Sequence, residues 1–140
     1  MGTVEQEAER LIAAAPDLDW LRALTDVLDR AVRQAPLERL VRLWGLSNAE
    51  AGRLFGVSRQ AFSKWLESGV PPDRAPAVAD LAAATDLLDR RIKRERIPAV
   101  VRRASPRFAG RSLLDLAASG DHAAVRAAVV TMFDLRRVQP

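Results

Sequence analysis

Apolar residues in this chain return every three or four positions, and no segment alternates in the two-residue rhythm of a strand. The first such run, Val4 to Ala14, reads as a short amphipathic helix stopped before Pro16. Asp17 is placed to cap a longer one, in which Trp20, Leu21, Leu24, Val27, Leu28 and Ala31 make a continuous apolar stripe. Pro36 suits the first turn of a further helix, where its missing N–H costs nothing, and Leu37, Leu40, Val41 and Trp44 line that helix. Gly69, Pro71 and Pro72 mark a loop. A long helix follows from about Pro76, with Leu81, Ala84, Leu88 and Ile92 facing inward, and stops before Pro98. A loop over residues 105–111 leads to a short helix from Leu113 to Ala118, ended by Ser119 and Gly120. Asp121 caps the last helix, whose buried face is Val125, Val129, Met132 and Phe133.

Residues 47–67, SNAEAGRLFGVSRQAFSKWLE, carry the densest local signals. Ser47 and Glu50 form an S-x-x-E capping box at the start of a short helix. Gly56 can take the left-handed conformation that closes it. Ser58 caps a second helix with Ala61, Phe62, Trp65 and Leu66 on one face and Arg59, Gln60, Ser63, Lys64 and Glu67 on the other. Gly52 lies where the two helices must touch, so a small residue, glycine or alanine, is required there; Val57 and Phe62 fill the space between them. Two short helices joined tightly, the second with a polar exposed stripe, is the geometry that places a recognition helix in the major groove of DNA. The alternative is a helical hairpin within an ordinary bundle. The run Gly52, Gly56, Val57, Ser58, Arg59, Gln60 resembles the Xre-type helix-turn-helix family, whose pattern is a small residue, three residues, glycine, an apolar residue, then serine and a polar helix.

The expected fold class is therefore all-α: a helical bundle containing a helix-turn-helix, with a small C-terminal helical subdomain. Residues 1–35 read as an N-terminal helical extension. Residues 36–97 read as the DNA-binding domain with its long trailing helix, and 98–140 as a separate C-terminal domain. At 140 residues, 49% hydrophobic and 29% charged, the chain is long enough to bury a core. It has no cysteine, which excludes disulfides and thiolate metal sites. It also has no run near the roughly 20 apolar residues that span a bilayer. The start of the chain is acidic (Glu5, Glu7, Glu9), unlike a secretory signal, and lacks a myristoylation pattern, so a cytoplasmic location is expected with no membrane partner.

The net charge of +4 is unevenly spread. Residues 1–35 hold seven acids against four bases, whereas 36–140 hold eleven acids against eighteen bases. Nine of those bases (Arg90, Arg91, Lys93, Arg94, Arg96, Arg102, Arg103, Arg107, Arg111) fall between 90 and 111, with Glu95 the one acid among them. Such a block can lie along phosphates, receive an acidic protein, or be a solvated face. Arg59 and Gln60 open the second helix of the motif and suit guanine and adenine edges respectively. Ser63 can reach a base or a phosphate. Arg53, Lys64 and Arg74, with the amides behind Ser58, are placed for phosphates. A two-fold dimer would present two such helices roughly 34 Å apart to a palindromic operator in double-stranded DNA.

Residues 108–133, FAGRSLLDLAASGDHAAVRAAVVTMF, are similar to the toxin-binding domain of the Xre/MbcA/ParS antitoxins. Gly110, Arg111, Ser112, Leu114, Asp115, Leu116, Gly120 and Val125 follow that family's order, while Leu113 stands where the family has proline. Helical spacing alone allows two helices that merely close a bundle. The resemblance, over roughly 37–137, implies a homodimeric antitoxin that represses its own operon and holds a RES-type, NAD-consuming toxin inactive. The partner-facing positions it implies are Arg111, Ser112, Asp115, Arg136 and Arg137. A stand-alone homodimeric Xre-like regulator without a toxin is the other expectation.

Catalysis is not expected. His122 is the one histidine, at the start of a helix where exposure or capping is its ordinary role. The acid pairs Asp17/Asp19 and Asp86/Asp89 read as solvated faces. No phosphate loop, nucleophile elbow or metal-ligand spacing is present, and no cofactor is expected.

Overall fold

A computed structural model describes residues 3–14 and 18–134, apart from the side chains of 11–14 and 30–34. The helices are α1 (Val4–Ala14), α2 (Leu18–Trp44), α3 (Asn48–Leu54), α4 (Arg59–Ser68), α5 (Ala75–Arg91), α6 (Ile97–Arg102), α7 (Leu113–Ala118) and α8 (His122–Met132). Short 3₁₀ turns at Pro72–Arg74, Arg94–Arg96 and Pro106–Phe108 join them. One isolated antiparallel bridge, Ser105 with Arg111, pinches the loop before α7. The architecture is all-α, as the spacing predicts.

One core unites α2 to α8. Leu37, Leu40 and Trp44 from α2, Phe62 from α4, Leu81 and Leu88 from α5, Ile97 and Val101 from α6, Leu113 from α7 and Val125 and Val129 from α8 are all almost fully buried in it. The α8 helix packs most extensively on α5. Inside the core the Trp44 indole donates to Thr85 Oγ1 at 3.1 Å, and that hydroxyl donates to the Leu81 carbonyl at 2.7 Å. Both polar groups are thereby satisfied away from water.

Two element boundaries differ from expectation. Pro36 does not start a helix: α2 runs through it for 27 residues, so the expected division at 35/36 falls inside one helix. An internal proline costs roughly 3 kcal/mol. Burial of Leu37, Leu40, Leu43 and Trp44 just beyond it, at about 1.5–3 kcal/mol each, outweighs that cost. Likewise α5 ends at Arg91, where Ile92 turns extended, and Pro98 lies in the first turn of α6 rather than stopping α5. Proline lacks the N–H that a first helical turn leaves unbonded anyway, so it opens α6 without loss.

The apolar stripe of α2 also divides. Val27 is buried, and α1 packs against α2, but Leu21 and Leu28 are exposed. The side chain of Ala31 and the expected cap Asp17 lie outside the described residues.

Candidate nucleic-acid interface

Ser47 begins the site. Its hydroxyl accepts from the Glu50 N–H at 3.1 Å while the Glu50 carboxylate accepts from the Ser47 N–H at 3.0 Å, closing the capping box of α3. The Ser47 N–H, with Arg102 beside it, holds the Glu50 carboxyl below the usual carboxylate range. At the other end Gly56 sits at φ +68. The Val57 N–H reaches back to the Gly52 carbonyl at 2.9 Å and the Gly56 N–H to that of Arg53 at 3.2 Å. This is a Schellman closure, which needs the left-handed residue that glycine supplies. A Cβ on Gly52 would lie 2.7 Å from the Val57 carbonyl oxygen. The sequence admits glycine or alanine there; the geometry admits glycine alone without a shift of backbone.

Ser58 then caps α4 by accepting from the Ala61 N–H at 3.0 Å. Phe62 and Trp65 turn inward, and Phe55 in the turn meets both, with ring centroids 6.1 Å and 5.7 Å away. This apolar wedge leaves Arg59, Gln60, Lys64 and Glu67 exposed on the far side of α4, with Ser63 half-buried. Together with Asn48, Arg59, Gln60, Ser63, Lys64, Glu67 and Ser68 line one shallow open groove. The Asn48 amide donates to Ser63 Oγ at 3.1 Å across the two helices. That bond fixes Ser63 at the centre of the face. Its two residues lie 15 apart in the chain, and neither marks the pairing in the sequence.

The other expected contacts scatter. Arg53 is exposed on α3 outside the groove lining. Arg74, half-buried, donates to the Phe55 carbonyl at 2.7 Å and lies over the Trp65 ring, 6.0 Å from its centroid. Its guanidinium therefore caps the end of α3 rather than standing on the α4 face.

The basic block between 90 and 111 is not one surface. Arg94 pairs with Asp89 at 2.8 Å, and Asp89 also receives Arg39 at 2.7 Å. Arg94 first, and Arg39 next, hold the Asp89 carboxyl below its ordinary range. Arg39 pairs with Asp86 as well. Arg102 donates to the carbonyls of Trp44 and Gly45, each at 2.8 Å, and meets Glu50 at 3.3 Å. It caps the C-terminus of α2, where a cation also meets the negative end of the helix dipole. Arg90, Arg91, Lys93, Arg96, Arg103 and Arg107 remain solvated.

In the C-terminal segment Ser112 is buried as the cap of α7, and Asp115 completes the second capping box, at 3.1 Å and 2.9 Å. The Ser112 N–H holds Asp115 below the usual range. Arg111 donates to the Asp115 carbonyl at 3.0 Å. These three expected partner-facing residues build the loop and helix start, and Arg136 and Arg137 lie outside the described residues. Beside them Phe108, Leu116, Ala124, Ala127, Ala128 and Met132 line an apolar groove. His122 does more than its position suggests. Its Nε2 lies 2.6 Å from the Leu54 carbonyl, and its ring stacks on Phe55 at 5.5 Å. The start of α8 is thus pinned to the end of α3. Among the described residues no cluster of three His, Cys, Asp or Glu could hold a metal, and no helix is long and apolar enough to cross a membrane.

Among solved structures, a chain of the crystal structure of the M. tuberculosis MbcT–MbcA toxin–antitoxin complex superposes with a TM-score of 0.58. The alignment covers 71% of this chain and 91% of that one, at 21% identity. The two chains therefore share a fold. No family model matches the sequence, and no curated protein matches it.

Proposed function

We propose that this chain is a sequence-specific DNA-binding regulator of the antitoxin kind, which represses its own operon as a homodimer and neutralises a RES-type, NAD-consuming toxin. The observation that carries the DNA half is the α4 face. Arg59, Gln60, Ser63 and Lys64 share one open groove, backed by Phe62 and Trp65 and braced by Asn48. Arg59 and Gln60 in the first turn of α4 read base edges in the major groove, Ser63 supports them from the centre, and Lys64 and Arg53 meet phosphates. Arg74 stands apart from that set, its Nη1 held by the Phe55 carbonyl and its guanidinium over the Trp65 ring.

The toxin half is supported by the fold shared with a chain of the MbcT–MbcA complex and by the apolar groove between α7, α8 and the loop before them. Arg107 lines that groove, Arg111 stands four residues further along the same loop, and Arg136 and Arg137 follow α8 in the sequence. The alternative is a stand-alone homodimeric regulator without a toxin partner. Two measurements on one preparation test the proposal: footprinting on the upstream region of its own operon, and mass analysis after co-expression with the adjacent gene. A protected palindrome and a stable complex with an NAD-consuming protein are expected. A protected palindrome without a complex establishes the stand-alone regulator, and absence of protection overturns the DNA half.

A further inference from the structure

Ile92, Val100, Phe108, Leu113 and Met132 meet around one cavity of about 510 Å³. Ile92 follows α5, Val100 lies on α6, Phe108 ends the 3₁₀ turn before α7, Leu113 opens α7 and Met132 closes α8. Leu113 is fully covered and the other four are half-buried, so the floor is apolar. The rim is the segment from Arg103 to Arg107, and both arginines stand exposed on it. A hollow of this size suits a small molecule.

The polar groups decide what kind. No acidic residue lines the cavity. Neither Arg103 nor Arg107 has a side-chain hydrogen bond or ion pair among the described residues. By contrast Arg94, Arg102 and Arg111 of the same basic block are each bonded to carboxylates or carbonyls of the fold. Ser105, between the two free arginines, accepts from the Arg107 N–H at 3.2 Å and keeps its own hydroxyl proton to donate. An apolar floor beside two unpaired guanidinium groups and a hydroxyl is complementary to an apolar body with an anionic head.

We propose that this cavity binds a small amphipathic anion, an alkyl or aryl body carrying one carboxylate or phosphate. The body lies on the floor of Phe108, Leu113 and Met132, and the head meets Arg103 and Arg107. Arg107, Phe108 and Met132 also line the apolar groove proposed for the protein partner, so an occupant of the cavity touches the wall of that groove. The site itself requires neither a toxin nor DNA.

The chain has two methionines, Met1 and Met132. Carbon-13 methyl labelling of methionine in the full chain therefore gives one NMR resonance at the cavity, assigned by its loss in Met132→Leu. Titration with octanoate or octyl phosphate, kept below micelle formation, is expected to shift that resonance saturably, and the tighter of the two identifies the head group. Neutral 1-octanol is expected to bind about fivefold more weakly than the better anion, as two solvated guanidinium groups allow. Arg103→Ala with Arg107→Ala is expected to weaken the anion by about the same factor and to leave 1-octanol unchanged. Ala104→Trp fills the hollow from an exposed rim position and is expected to abolish the shift. All three substitutions are at exposed positions, and far-UV circular dichroism checks that each variant keeps its helices. A Met132 resonance that neither anion moves overturns the site, as does 1-octanol binding as tightly as the anions. Anion affinity unchanged in the double arginine variant, or a shift that survives Ala104→Trp, overturns it equally.

Discussion

Replacing Gly52 by alanine adds one methyl group at the closest approach in the α3–α4 pair. The new Cβ would stand 2.7 Å from the Val57 carbonyl oxygen and 3.1 Å from that of Ser58, and both are backbone atoms that cannot rotate away. Ordinary contact begins near 3.4 Å, so the turn must move by several tenths of an ångström. That motion also strains the Val57 N–H bond to the Gly52 carbonyl, now 2.9 Å. Inserting a methylene into a packed site costs about 1–3 kcal/mol, and a backbone obstacle puts this case in the upper half of the range. Against it stands the gain of replacing glycine by alanine inside a helix, about 1 kcal/mol. The net expectation is a loss of roughly 1–2 kcal/mol, or a midpoint lowered by roughly 3–8 °C for a domain of this size. Urea and thermal unfolding measure it. The same variant is expected to weaken operator binding beyond its stability loss, because α4 is re-aimed. A Gly52→Ala chain as stable as wild type or more so would refute the close approach.

Three further outcomes are expected. Arg102→Ala removes charge-assisted bonds to the Trp44 and Gly45 carbonyls and is expected to lower stability by about 1.5–3 kcal/mol in denaturant titration, with DNA affinity at matched folded fraction unchanged. Glu50, Asp89 and Asp115 all have carboxyls held below their ordinary range in the fold. Their stabilisation is therefore complete above the unfolded values near pH 4 and is lost as the pH falls through the lower folded values. The unfolding midpoint is expected to be flat from neutrality to about pH 5 and to fall below about pH 4, and a midpoint that rises on acidification contradicts the cap geometry. His122→Ala loses the contact with the Leu54 carbonyl and the stack on Phe55. It is expected to cost about 1–3 kcal/mol in the same titration, and no loss would mean that α8 is not pinned to α3.

The sequence carried local structure well and long-range pairing poorly, for physical reasons. Both capping boxes, the bounds of α1 and α7 and the closure at Gly56 rest on residues within four positions of one another, and they stand as the spacing predicts. Pro36 and Pro98 misled because proline marks where a helix can start or stop, while burial of the flanking residues decides whether it does. The outward face of α4 follows from helical period alone. The Asn48–Ser63 brace, the hold of Arg74 on Phe55, the multiple bonds of Arg102 and the pin from His122 to Leu54 join residues 15 to 68 apart. Nothing local marks such pairs. A block of arginines in sequence likewise says little about a surface. All nine bases of the block are exposed, yet Arg94, Arg102 and Arg111 are each bonded to the fold's own carboxylates or carbonyls.

The most direct test of DNA reading by α4 is a fluorescence anisotropy titration of Arg59→Ala, Gln60→Ala and Lys64→Ala on the operator and on a scrambled duplex, at several salt concentrations. Arg59→Ala and Gln60→Ala are each expected to lose about 1–3 kcal/mol on the operator and little on the scrambled duplex. Lys64→Ala is expected to weaken both alike and to lower the salt slope by about one. Operator and scrambled affinities that match wild type in both Arg59→Ala and Gln60→Ala would contradict the assignment of α4 as the reading helix.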